Sequence, residues 1–321
     1  EYRKGFVFAE ILRRWRTIQF IRRHIQMSAK TYRNADELKA IHGYDAIIVG
    51  SDQVWNPNWY GCPNPFLLGN IETGIKEIAY APSFGVKEIP ADLSDIYKSS
   101  LSQFSALSCR EKRGVQIIEE LTGRKADWVV DPTLLLTQTE WNQAFALKPQ
   151  DRNHIFCYWL GDFSEIIPTL YRIAREQNKK IHLFLQDKFD QSPWNDDDFR
   201  RRWRREFSNN PHIILFRGAG PKEFLQQLVG ASAVISDSFH ALIFALIYQK
   251  SVRIIINSTP ERDQMSDRMY DFCERINSIG CLSKSIEDSW MPFSFDNKIL
   301  SEHLHSWIRD SKRFLKNTIA F

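Results

Sequence analysis

Between Val7 and Ile25 the apolar residues Val7, Ile11, Leu12, Trp15, Ile18, Ile21 and Ile25 recur every three or four positions with arginines between them, which predicts an amphipathic helix. The period then changes. Tyr44-Asp45-Ala46-Ile47-Ile48-Val49-Gly50 is a short β-branched run closed by glycine, the pattern of a strand buried in a parallel sheet. Further strands are predicted at 77–80, 105–108 and 128–132, with a helix over 111–121 between the last two. A polar stretch at 138–152, containing Pro149, interrupts the alternation. The pattern restarts with strands at 154–158, 181–185, 213–216, 233–235 and 252–256, and helices over 165–177, 196–207, 221–229 and 239–248. Residues 297–317 read as one long amphipathic helix.

Strands alternating with short helices imply βαβ units and parallel sheets. The expectation is therefore an α/β protein of two Rossmann-like domains, residues 1–145 and 146–321, with the helix 297–317 free to cross back to the first domain. Because the sequence begins at Glu1 without an initiator Met and its first segment reads as the middle of a domain, the first domain is expected to lack its opening strand.

Composition narrows this picture. At 321 residues, 43% hydrophobic and 26% charged, the chain can bury two cores, and disordered or fibrous classes are excluded. No apolar run reaches the ~18 residues of a membrane span. The cysteines Cys62, Cys109, Cys157, Cys273 and Cys281 are scattered and never spaced CxxC. That argues against a disulfide framework or a zinc site and for a reducing, cytoplasmic setting. The formal charge of +4 is unevenly placed: residues 1–33 hold nine Lys or Arg against Glu1 and Glu10, a local +7 that leaves −3 elsewhere. Global charge is thus no argument for nucleic acid. The arginine-rich run 199–205 follows Asp196, Asp197 and Asp198, the order a helix macrodipole favours, and no RNA-binding module is recognisable. The basic helix at 7–25 either packs with a solvated basic face or contacts an anionic membrane peripherally.

Ligands of open parallel sheets sit beyond the carboxyl ends of the strands. Here those ends are polar: Gly50-Ser51-Asp52-Gln53-Val54-Trp55-Asn56, Ala81-Pro82-Ser83-Phe84-Gly85, Ser108-Cys109-Arg110-Glu111, Asp131-Pro132-Thr133 and Ser236-Asp237-Ser238-Phe239-His240. A turn or helix cap accounts for any one of them alone. Five in one chain point to a site. The helix after His240 is apolar all round, so its first turn, with Asp237, Ser238 and His240, presents N–H groups and partial positive charge where an anion would bind.

The runs YDAIIVGSDQVWNP, AYAPSFG, LSCRE, VVDPTLLL and ISDSFHALIFAL, in this order over about residues 44–256, resemble the polysaccharide pyruvyl transferase family. That resemblance implies a GT-B-like arrangement of the two domains. It also implies transfer of the pyruvyl group of phosphoenolpyruvate to hydroxyls of a sugar, as a ketal, with release of phosphate. Phosphoenolpyruvate is then a co-substrate, no cofactor or metal is expected, and the partner is a glycan acceptor, free or lipid-linked. Many members carry Arg where Ser238 stands, two residues before the motif histidine. Another cation must then meet the donor, with Arg110 first and Arg217, Arg253 and Arg268 behind it.

Ketal formation needs a proton on the methylene carbon and a base for the attacking hydroxyl. His240 is the expected acid or phosphate partner, and Asp52, Glu111 and Asp131 are the expected carboxylates on the acceptor's side. Ser51, Asp52, Gln53, Trp55, Asn56, Ser83, Phe84, Asp237, Ser238 and Phe239 complete the expected substrate-binding set, with Trp55, Trp59 and Phe84 available to stack on a sugar. Two other functions fit the same architecture: a nucleotide-sugar glycosyltransferase, and a non-catalytic sugar-binding protein. His303 and His305 are two apart on a helix and face apart, so they do not pair on a metal.

Overall fold

A computed structural model describes residues 2–60, 64–68, 71, 74–148, 153–161, 166–185, 201, 211–256, 260–285, 290 and 292–320. In chain order the helices are α1 (Tyr2–His24), α2 (Ala35–Leu38), α3 (Ser94–Gln103), α4 (Lys112–Thr122), α5 (Gln138–Phe145), α6 (Ile167–Glu176), α7 (Pro221–Val229), α8 (Phe239–Ile247), α9 (Pro260–Arg275) and α10 (Asn297–Ile319). The strands are β1 (Ala46–Val49), β2 (Lys76–Ala79), β3 (Ser108–Cys109), β4 (Asp127–Trp128), β5 (His154–Trp159), β6 (Ile181–Leu185), β7 (Ile213–Leu215), β8 (Ala231–Ser236), β9 (Ser251–Ile255) and β10 (Leu282–Ser283). The helix expected at 196–207 lies outside the described residues.

The chain forms two compact units, both discontinuous. One holds residues 28–136, 258–279 and 296–321; the other holds 1–27, 137–257 and 280–295. The chain passes between the units five times, so a single cut at 145/146 misses four of these crossings. The first helix belongs with the later unit because Arg16 donates to Gly218 O at 2.7 Å and Phe20 stacks on Phe145 at 5.0 Å. The terminal helix does cross back, as expected.

In the earlier unit, β1 pairs with β2 and β3 with β4, all parallel. A parallel bridge between Ile78 and Ala106 joins the two pairs, so four strand ends face the same way. Trp55, Phe84, Phe104, Leu101, Ile117 and Ile118 fill the core beside them. Helix α10 closes this unit: Trp307 Nε1 donates to Trp128 O at 2.7 Å, and Ser311 Oγ accepts from Val130 N at 3.0 Å. Arg275 lies against both Trp128 and Trp307, 4.3 and 4.2 Å from the two rings, which themselves meet edge-on at 5.1 Å.

The later unit is a six-stranded parallel sheet in the order β10-β9-β8-β5-β6-β7. Its central strands are continuous apolar runs because helices cover both faces. Ile155, Cys157, Leu170, Ile173, Leu183 and Ile235 form the core on one side. Helix α5 falls in the polar stretch that interrupts the alternation. It forms because Thr137 and Glu140 make a reciprocal capping box, which satisfies free N–H groups at its start.

Candidate functional site

The earlier unit gathers a charged cluster at the carboxyl ends of its strands. Beyond β1, Gly50 has φ +139°, and a Cβ there would stand 1.9 Å from Tyr80 O, so only glycine lets the two backbones approach. Asp52 follows at φ +69°. Beyond β3, Arg110 donates from Nη1 to Asp131 Oδ2 at 2.9 Å and from Nη2 to Asp52 Oδ1 at 3.1 Å. The side chains of Arg110 and Asp131 are each 1% exposed, whereas that of Asp52 is 57% exposed. Asp131 also receives Ser51 Oγ at 3.3 Å and caps the turn that follows through Thr133 N at 3.0 Å and Thr133 Oγ1 at 2.7 Å.

Glu111 completes the ring from the start of α4. Its Oε1 accepts from Phe84 N at 2.8 Å, and its Oε2 is buried without a hydrogen-bond partner, as is Ser83 Oγ. Arg268, on α9, reaches the same cluster. With the Gln53 amide oriented to satisfy it, Arg268 donates to the Gln53 side-chain oxygen from Nη1 at 2.6 Å and from Nη2 at 3.2 Å, while Asn56 lies 2.8 Å from that amide. Burial, then the neighbouring Arg110, pushes the Arg268 pKa down to about 10 against the pull of Asp52, Glu111 and Asp131. Burial also works against the charge of Arg110, but Asp131, Asp52 and Glu111 outweigh it and raise its pKa.

The cluster thus holds two guanidiniums and three carboxylates, and Asp52 is the carboxylate held open to solvent. Such a group can accept a hydrogen bond from a hydroxyl at a fixed position. Arg110, expected to meet the donor's anionic groups, is instead an internal counter-ion with both Nη atoms on carboxylates. Trp55 and Phe84 are fully buried, and Trp55 Nε1 donates to Phe66 O at 2.9 Å, so neither stacks on a sugar. Trp59 remains exposed. Arg268 is the residue sequence reasoning undervalued. The sequence sets it level with Arg217 and Arg253, behind Arg110.

In the later unit, β8 leads into α8. Ser238 caps that helix, its Oγ accepting from Ala241 N at 3.5 Å, and its own N donates to Ser236 Oγ at 3.0 Å. Asp237 accepts from Leu160 N at 2.8 Å and from Gly161 N at 2.9 Å, so both its oxygens tie down the turn after β5. Expected as a substrate contact, Asp237 is structural. Phe239 is buried and belongs to the core. His240 is partly buried on the first turn, its ring edge-on to Phe239 at 5.9 Å. Residues 241–246 are buried all round. Of the other cations, Arg217 follows the edge strand β7 and Arg253 donates to Gly280 O at 2.9 Å. Of the arginine-rich run 199–205, residues 199, 200 and 202–205 lie outside the described residues.

The sequence profile of a family described as polysaccharide pyruvyl transferase matches residues 3–259. The chain belongs to that family. The match covers both clusters described above except Arg268, and it stops before the α10 contacts. No curated protein sequence matches this pyruvyl transferase family member. Among solved structures it is similar to the UDP-GlcNAc 2-epimerase from Methanocaldococcus jannaschii, at 14% identity over 81% of this chain and 69% of that one, with a TM-score of 0.45. It is also similar to the UDP-GlcNAc 2-epimerase from Neisseria meningitidis bound to UDP-GlcNAc, at 11% identity over 86% and 71%, with a TM-score of 0.43. Likenesses this loose carry no argument about activity. Among the described residues no group of three or more His, Cys, Asp or Glu could hold a metal ion, and no helix is long and apolar enough to cross a membrane.

Proposed function

We propose that this member transfers the pyruvyl group of phosphoenolpyruvate onto two hydroxyls of a sugar, in a polysaccharide or its lipid-linked precursor, and releases phosphate. A single observation carries the reading: Ser238 and His240 occupy the first turn of a helix whose residues 241–246 are buried, at the end of a central strand. The positive end of the helix macrodipole would stabilise a phosphate dianion there. His240 beside it is the acid or phosphate partner. On the acceptor's side, Asp52 takes the proton of the attacking hydroxyl, while Arg110, Asp131 and Glu111 hold it in place.

The steps balance without a cofactor. A proton adds to the methylene carbon of phosphoenolpyruvate, leaving an oxocarbenium-like centre that one hydroxyl attacks. The second hydroxyl displaces phosphate and closes the ketal, and each hydroxyl gives up a proton. A lipid-linked acceptor would place the protein on the cytoplasmic face of a membrane as a peripheral enzyme.

The test measures phosphate release from phosphoenolpyruvate with candidate glycan acceptors, and thermal shift with phosphoenolpyruvate against nucleotide sugars. His240→Ala should slow release by roughly 10²–10⁴-fold, the usual scale of one acid–base group, with little change in thermal stability. Stabilisation by a nucleotide sugar but not by phosphoenolpyruvate would overturn the reading in favour of a glycosyltransferase.

A further inference from the structure

Helix α1 shows two apolar faces where the sequence pattern predicted one. Its inner face is anchored on the later unit: Arg16 meets Gly218 O and lies 3.3 Å from Glu223, Phe20 stacks on Phe145, and an added Cβ on Gly218 would touch Ala9 O and Leu12. The outer face is covered by nothing in the described chain. Phe8, Ile11, Trp15, Ile18 and Ile25 lie along it and are each 48–65% exposed. Their spacings of three, four, three and seven keep them in one stripe on a helix. At 1.5 Å per residue the stripe runs about 26 Å.

Charge decides what fits this stripe. Arg14, Arg22 and Arg23 are exposed beside or within it. The helix's acid, Glu10, is drawn onto Arg13 at 2.8 Å and Arg14 at 2.9 Å and is itself largely buried. Arg22 falls in the register of the stripe, between Ile18 and Ile25. A second copy paired along the stripe would set Arg22 against Arg22 in parallel register, or bury it on Ile11 in antiparallel register, and both are unfavourable. An anionic lipid surface suits the same pattern. Aromatic and aliphatic side chains enter the headgroup boundary, and arginines reach outward to phosphates.

We infer that the outer face of α1 is a docking surface for an anionic bilayer, which holds the protein flat on the membrane. The inference extends the lipid-linked acceptor reading but stands on this surface alone, independently of the donor chemistry.

The experiment is co-sedimentation of the full chain with vesicles of phosphatidylglycerol and phosphatidylcholine, against phosphatidylcholine alone. Binding is expected to the mixed vesicles and not to the neutral ones. Arg14→Glu with Arg22→Glu should weaken it about tenfold or more, as should Ile11→Ser with Trp15→Ser. All these residues are solvent-exposed, so circular dichroism should match the parent. Phosphate release with a water-soluble acceptor should be unchanged in both variants, so loss of that activity in the parent would count against the proposed reaction and leave the vesicle result standing. Failure of the intact protein to bind the mixed vesicles would overturn the inference. So would a concentration-dependent dimer in sedimentation velocity that Ile11→Ser with Trp15→Ser abolishes.

Discussion

Removing Asp131 tests whether the charged cluster is held together as described. Asp131 and Arg110 meet at 2.9 Å with both side chains 1% exposed, so neither can turn to water when the other is lost. Breaking a pair this deeply buried leaves Arg110 with Asp52, a partner open to water, and costs up to about 3–5 kcal/mol. The hydrogen bonds from Thr133 N and Oγ1 go as well, a loss of about 1 kcal/mol in typical helix caps. Asp131→Ala should therefore lower the urea midpoint by about 1–2 M with little change in slope, followed by tryptophan fluorescence and far-ultraviolet circular dichroism. Asp131→Asn keeps an acceptor for Thr133 and should fall between that variant and the parent. Replacing both partners, Arg110→Met with Asp131→Leu, removes one charge of each sign and leaves Arg268, Asp52 and Glu111 with the same total as before. That double variant should recover most of the loss, because apolar side chains of similar volume replace a buried pair at little cost. If Asp131→Ala stays within about 1 kcal/mol of the parent, or the double variant is less stable than Asp131→Ala alone, the cluster is not a closed electrostatic unit.

Glu77 offers a pH test. Burial raises its pKa above the ordinary 4.5, and its Oε2 has no hydrogen-bond partner. Folding therefore takes up a proton between the unfolded and folded pKa values; the burial penalty is absent below 4.5 and grows as the pH rises through the folded value. Glu77→Gln should be more stable than the parent at pH 7, with the difference gone near pH 4.5; equal stability at both pH values would sink this account. Gly50→Ala should cost more than about 3 kcal/mol, since it combines a disfavoured backbone angle with a clash against Tyr80 O. An unchanged melting temperature in calorimetry would show that the Gly50–Tyr80 approach is looser than described.

Some of this architecture could be read from the pattern of residues. The run 181–185 and the helix 221–229 have their observed bounds in the sequence, because the first is a short, mostly apolar run and Pro221 and Gly230 bracket the second. Strand β1 is legible as Ala-Ile-Ile-Val before a glycine. Helix α3 escaped notice because only Tyr97 and Leu101 of its ten residues are buried, too few to mark a stripe. Helix α9 is polar along most of its length, and its contribution to the site is one arginine, a contact no local pattern encodes. The capping box at Thr137 and Glu140 was the available signal for α5, obscured by the polar residues around it.

In the site, the sequence placed Asp52, Arg110, Glu111 and Asp131 together at strand ends, and they do meet. It could not tell which of them face solvent. Exposure depends on neighbours distant in the chain, which is why Trp55 and Phe84 looked like a sugar platform and are core.

The closure by α10 has a consequence for the order in which this protein can be completed. Val130, one residue before the buried Asp131, finds its hydrogen-bond partner in Ser311, 181 positions later. At about 5–20 residues per second, the ribosome needs roughly 10–40 s to make the intervening chain. During that interval the strand ends bearing Arg110 and Asp131 are already synthesised but uncapped, and Trp128 waits for both Arg275 and Trp307. The earlier unit therefore cannot be finished until its last segment is made, and its charged cluster matures only after residues 296–321 have left the ribosome.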